Sequence, residues 1–226
     1  MKNPLRIIKK DIKHMYLSVH PDCSVVLKAP KNTTDEYINS YLKKKEQWIQ
    51  KQVDRFKQHK EHTKDTENQK EFVSGECFMH LGKQYRLKIY EFEFEGVKLN
   101  ANYINVFVKN KNNTQKKKRL LESWYRENAF QTFSEIMDEN YKKVTKNKPE
   151  LALRKMKTRW GSCSHNKNKI TLNPILIEKP RYCIEYVVVH ELAHLKHPNH
   201  SKNYYNYLTY LMPDWEWRRD KLNNGY

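Results

Sequence analysis

The sequence predicts an α+β fold. An N-terminal region, residues 1–112, of mixed elements rich in antiparallel strands precedes a helical region with a small sheet, residues 113–226. Three observations predict it. Two-residue alternation of apolar and polar side chains recurs in two stretches of the first half, helical periodicity dominates the second, and Lys109 to Arg119 forms a polar, lysine-rich junction. At 226 residues the chain has room for one large domain or two small ones with a real core. Aromatic residues make up 12% of it, which separates it from disordered chains that cannot bury enough surface to fold.

The elements follow in order. Met15 to Ala29 alternates on both sides of His20-Pro21-Asp22 and reads as a hairpin. Thr33 with Glu36 resembles a capping box, opening a helix traced by Tyr37, Ile38, Tyr41, Leu42, Trp48, Ile49, Val53 and Phe56 and ending near Lys60. His62 to Lys70 is a polar loop. From Glu71 to Val108, short antiparallel strands are separated by Gly75, Gly82, Gly96 and Asn100-Ala101-Asn102, with His80 a strand-face residue rather than a ligand.

Lys116-Lys117-Lys118-Arg119 is expected to be the exposed first turn of a long helix carrying Leu120, Leu121, Trp124, Phe133, Ile136, Met137 and Val144, with Pro149 barring its continuation. Two strands, Leu153 to Ser162 and Ile170 to Asn173, are joined by a polar turn in which His165 faces solvent. Ile184, Val188, Leu192 and Leu195 then mark a helix between Pro180 and Pro198, against which the long helix should pack. Ser201 caps a helix with Tyr204, Tyr205, Leu208 and Leu211, and Pro213-Asp214 opens a last one.

The chemistry concentrates in His190-Glu191-Leu192-Ala193-His194. A helix turns about 100° per residue, so His190 and His194 lie one turn apart on nearly one face, with Glu191 beside them. A catalytic zinc needs nitrogen ligands on a rigid support, an open position for water and a carboxylate to take that water's proton. The third ligand must come from outside the helix. His200 can swing back through the turn after Pro198, His197 competes with it, and Glu216 on a later helix is a weaker rival. The alternative is a hydrogen-bonded histidine pair in a core with a buried, partnered acid.

The net charge of +18 suits nucleic acid, anionic lipid or acidic protein. Most of it is lysine, however, which forms a solvated surface as readily as a dedicated groove. The four cysteines are scattered, without a CxxC pair, and read as free thiols; Cys163 alone falls near the expected site. No apolar run reaches membrane-span length and no signal-peptide core opens the chain, so the cytoplasm is the expected location.

Arg159-Trp160-Gly161-Ser162-Cys163-Ser164, Leu172-Asn173, the His190 to Leu195 segment with Asn199-His200-Ser201, and Met212-Pro213-Asp214 together resemble the YgjP-like metallopeptidase family. Ala29-Pro30, Trp48-Ile49 and Leu81-Gly82 with Tyr85 extend the resemblance over nearly the whole chain. It implies a small zincin, with Zn2+ held by His190, His194 and His200 and with Glu191 as general base. The SprT and WLM proteases, which act on proteins bound to DNA, look like more distant relatives. Three function classes follow: a zinc metallopeptidase acting on peptides or proteins, with DNA-associated proteins among them; a nucleoside triphosphate pyrophosphohydrolase using the same site; and a nucleic-acid-binding module with structural zinc, which would need a further ligand such as Cys163. His197, Tyr204 and Tyr205 are candidates for the oxyanion partner, and Arg159 and Trp160 for supporting or substrate contacts.

Overall fold

The computed structural model describes residues 5–19, 23–54 and 70–225, which fall into two compact units, Met1–Lys70 and Glu71–Tyr226. The His20-Pro21-Asp22 turn, Phe56, the helix end near Lys60 and most of the loop from His62 lie outside the described residues. The 112/113 junction falls inside the second unit, at the start of its longest helix.

In the first unit, β1 (Leu5–Lys10), β2 (Tyr16–Val19) and β3 (Val25–Pro30) form a sheet of order β1-β3-β2. β2 pairs antiparallel with β3, as a hairpin requires, and β1 pairs parallel to β3. Val25, Leu27 and Ala29 alternate into the interior, where Leu27 and Ala29 meet Ile38 of α1 (Asp35–Lys44). The cap is Thr34 rather than the expected Thr33. Thr34 Oγ1 accepts the Tyr37 N–H, while the Thr33 N–H is spent in a turn to the Pro30 carbonyl. The helix breaks at Lys45, and residues 46–54 are again helical.

The second unit opens with β4 (Cys77–His80), β5 (Lys83–Glu91), β6 (Gly96–Asn100) and β7 (Tyr103–Val108), in the order β4-β5-β7-β6. The outer pairs are antiparallel, but β5 and β7 run parallel, contrary to the all-antiparallel expectation. The cause is burial. Ile104, Val106 and Val108 of β7 are fully buried, so the most apolar strand takes a central place and the exposed β6 is left at the edge.

The helix α2 (Thr114–Asn140) begins at Asn113, whose side chain accepts the Lys116 N–H. Its first turn is not wholly exposed, since Lys117 is buried and Lys116 pairs with Glu95. Twenty-seven residues make it about 40 Å long, enough to serve two cores: Leu121 packs on the four-stranded sheet, and Ala129, Phe133, Ile136 and Met137 pack on the core around the histidine helix. A second sheet of order β8-β10-β9 follows, made of β8 (Glu150–Leu153), β9 (Gly161–Ser164) and β10 (Lys169–Leu172). The expected strand from Leu153 to Ser162 is thus interrupted. Residues 154–160 are irregular and held by buried Asn173, whose Nδ2 donates to the Met156 and Arg159 carbonyls.

The helices α3 (Arg181–Ala193), α4 (Lys202–Leu211) and α5 (Trp215–Asn224) complete the unit. α3 is buried nearly all round rather than on one face, because α2, α4, α5 and β9 all pack on it. The turn Leu81-Gly82 docks at its start. Leu81 and Gly82 donate to the Ile177 and Glu178 carbonyls, and a Cβ on Gly82 would lie 2.7 Å from Pro180 Cγ. No helix among the described residues is long and apolar enough to cross a membrane.

Candidate active site

His190 lies in the last turn of α3, His194 follows its last residue, and His200 stands just before α4. Helical geometry aligns the first two, and the chain reversal over 195–199 returns the third. That reversal starts with Leu195 and Lys196 amides bonded to Leu192 and Ala193 carbonyls, and ends at Ser201, which accepts the Tyr204 N–H and starts α4. The result is convergence: His200 Nε2 lies 3.1 Å from both His190 Nε2 and His194 Nε2.

The donor set suits a metal ion. Tetrahedral zinc with nitrogens at about 2.05 Å sets them about 3.3 Å apart, close to the observed spacing. His194 Nδ1 sits 3.1 Å from the His197 carbonyl, to which it can only donate, so His194 Nε2 is the unprotonated nitrogen. Burial lowers the pKa of all three rings; for His190, burial followed by the charges of His194, His200 and Arg219 brings it to about 3. Neutral imidazoles with lone pairs facing one point are what a cation requires. Among the described residues, no cysteine or carboxylate joins the three histidines.

Glu191 is buried at 6% exposure. Burial raises its pKa to about 8, against the opposing charge of Arg159. The backbone of β9 passes close to it: a Cβ built on Gly161 would lie 2.7 Å from Glu191 Oε1. Only a glycine lets the strand pass so close to the carboxylate.

A family model described as the YgjP-like metallopeptidase domain matches residues 13–225. The chain belongs to the YgjP-like metallopeptidase family. As a member of it, this YgjP-like chain is an α+β metal-dependent peptidase domain. None of the curated proteins compared with it matches. Among solved structures, it is similar to the metallopeptidase zymogen abylysin of Pyrococcus abyssi, at 20% identity and a TM-score of 0.35, over 42% of this chain and 90% of that one.

The other residues singled out from the sequence divide sharply. Tyr204 is fully buried; its hydroxyl donates to the His190 carbonyl at 3.1 Å and its ring stacks on His194. A hydroxyl so engaged holds the backbone of the site rather than facing a cleft. His197 supports His194 through its carbonyl, while its ring packs edge-on to Tyr207. Tyr205, 37% exposed, stacks on both His200 and Trp215, at ring-centre distances of 6.1 and 5.4 Å. Arg159 is exposed and close enough to act on Glu191, and half-buried Trp160 packs on the core beneath Lys179. Glu216 does not converge with the histidines. The Cys163 thiol stays protonated, since burial and Glu191 push its pKa to about 11.

The roles of three contributors were not read from the sequence. Gly161 bounds Glu191, Asn173 clamps the irregular stretch before β9, and Tyr186 directs its hydroxyl toward His190 Nδ1 at 3.5 Å. Gly161 and Asn173 stood in the segments that carry the family resemblance, without a role attached, and Tyr186 left a signal in its four-residue spacing from His190 on the same helix.

Proposed function

We propose that this chain is a zinc metallopeptidase in which His190, His194 and His200 hold the metal and Glu191 is the general base. The observation that carries this reading is the convergence of three Nε2 atoms, each able to present a lone pair, with a buried carboxylate on the adjoining residue. When bound, zinc supplies a Lewis acid for the scissile carbonyl and acidifies the attacking water.

The chain's own groups do the rest. The Glu191 carboxylate takes the proton of the attacking water and delivers it to the leaving amine; in water-excluding surroundings its proton affinity lies close to neutral pH, which suits both transfers. The His197 carbonyl keeps His194 in the required tautomer, and the Tyr204 hydroxyl and ring hold the backbone of His190 and the plane of His194. β9 is one of the two edge strands of its sheet and passes Glu191 at Gly161, so an extended peptide pairing with that edge would bring its main chain to the carboxylate. Such pairing is largely indifferent to substrate side chains. With a net charge of +18, protein substrates held on nucleic acid fit this reading.

The test joins metal content to turnover. Elemental mass spectrometry should find near-stoichiometric zinc in wild type and a loss in His200→Ala. Glu191→Gln should keep the metal and stop cleavage of an unfolded protein substrate. An active Glu191→Gln enzyme refutes the base assignment, and nucleoside triphosphate hydrolysis with intact protein substrate refutes the peptidase assignment.

A further inference from the structure

We propose that the solvent face of the β4–β7 sheet is a platform for single-stranded nucleic acid. The strand register defines the two faces. Leu87, Ile104, Val106 and Val108 point toward α2 and are fully buried, so their alternates point outward. On the outer face, Arg86, Lys88 and Tyr90 of β5 lie opposite Tyr103, Asn105 and Phe107 of β7, and Lys98 of β6 lies opposite Asn105. No aspartate or glutamate occupies an outward register position on these four strands. Glu91 is opposite buried Val108 and so falls on the other face, and Glu95 pairs with Lys116 of α2. Glu93 stands in the turn between β5 and β6.

The rings on this side are continuous and open. Tyr90 stacks beside Phe107 at 5.3 Å, Phe107 meets Phe94 at 4.9 Å, and Phe94 meets Phe92 at 4.8 Å. Tyr90, Phe92 and Phe94 keep 41%, 53% and 44% of their surface exposed, which is unusual for so many adjacent large rings in a folded domain. Cations sit among them, with Lys88 Nζ 3.7 Å from the Tyr103 ring centre and Lys98 Nζ 5.4 Å from that of Phe94.

The chemistry of this surface selects its occupant. A single strand alternates flat bases, which stack on exposed rings, with phosphates, which pair with lysine and arginine. A duplex hides its base faces and offers only the phosphates. An acidic protein would satisfy the cations and leave the rings unused. The inference deepens the nucleic-acid side of the proposed function, and binding does not depend on the metal site.

The test is fluorescence anisotropy with labelled oligodeoxyuridylate and oligouridylate of about 20 nucleotides, the span of one or two such platforms, titrated at several salt concentrations. Wild type should bind both single strands more tightly than a duplex of equal length. Tyr90→Ala/Phe94→Ala should weaken binding about tenfold or more. Lys88→Gln/Lys98→Gln should reduce the slope of log affinity against log salt by about 1.4, whereas Lys142→Gln/Lys146→Gln, which removes equal charge from exposed sites beyond α2, should not. Glu191→Gln should bind like wild type, so that loss of catalysis and loss of this platform are read separately. Equal affinity for duplex, equal binding of polyglutamate, or insensitivity to the ring substitutions overturns the proposal. Preference for one sugar decides between DNA and RNA and supports it in either case.

Discussion

Gly161→Ala tests how the proposed base, Glu191, is positioned without touching any of the three histidines. The added methyl would stand 2.7 Å from Glu191 Oε1, 2.8 Å from Cγ and 3.0 Å from Cδ. Ordinary contact begins at 3.4 Å, so the carboxylate or the strand must yield by about 0.7 Å. Glu191 is buried and Gly161 belongs to a paired strand, so neither relaxes freely. Overpacking of this kind costs about 1–3 kcal/mol in stability, and a displacement approaching 1 Å at a reacting group costs up to about a hundredfold in rate. We therefore expect kcat on a peptide substrate to fall by about tenfold to a hundredfold, with KM and zinc stoichiometry near wild type. Adding Glu191→Asp, which withdraws the carboxylate by one methylene, should recover part of the lost stability in the double mutant. A variant with wild-type kcat, or one that loses zinc along with activity, would refute the positioning argument.

Three further outcomes follow from the same geometry. Tyr204→Phe should keep the ring against His194 and lose one hydrogen bond, lowering stability by about 1 kcal/mol with kcat changed only a few-fold; a collapse as deep as that of Glu191→Gln would make the hydroxyl a reacting group. His200→Ala should remove zinc and its thermal stabilisation together, measured by calorimetry with and without added metal. His80 is buried with both ring nitrogens unpaired, and burial lowers its pKa below 6.5. The unfolded chain then binds more protons than the folded one below pH 6.5, so stability falls as pH drops through that region. His80→Leu should unfold at higher urea and flatten this acid-side decline, and parallel pH curves for the two proteins would exclude His80 as its source.

Locally encoded features were legible in the amino-acid order. One helical turn sets His190 and His194 on a common face, Ser201 caps its own helix, and the β2–β3 pair follows from alternation around a turn. Each depends on residues a few positions apart, so backbone geometry alone constrains it. The cap at Thr34 was misplaced by one residue because Thr33 competes for it locally and loses to a turn with Pro30.

Features joining distant stretches were not legible. That β5 and β7 are parallel depends on which strand wins the centre of the sheet, a comparison of burial over all four. The Leu81-Gly82 turn was recognisable, yet its purpose lies a hundred residues away at Pro180. His197 looked like a ring-bearing candidate and contributes a carbonyl; Tyr204 looked like an oxyanion partner and bonds the backbone of His190. The sequence by itself determined that His190 and His194 share one helix face beside Glu191, because spacing on a helix is a local property. Only the tertiary structure decided how that site is supported, because Gly161 reaches Glu191, and Asn173 clamps the approach to β9, through packing of segments that no local periodicity connects.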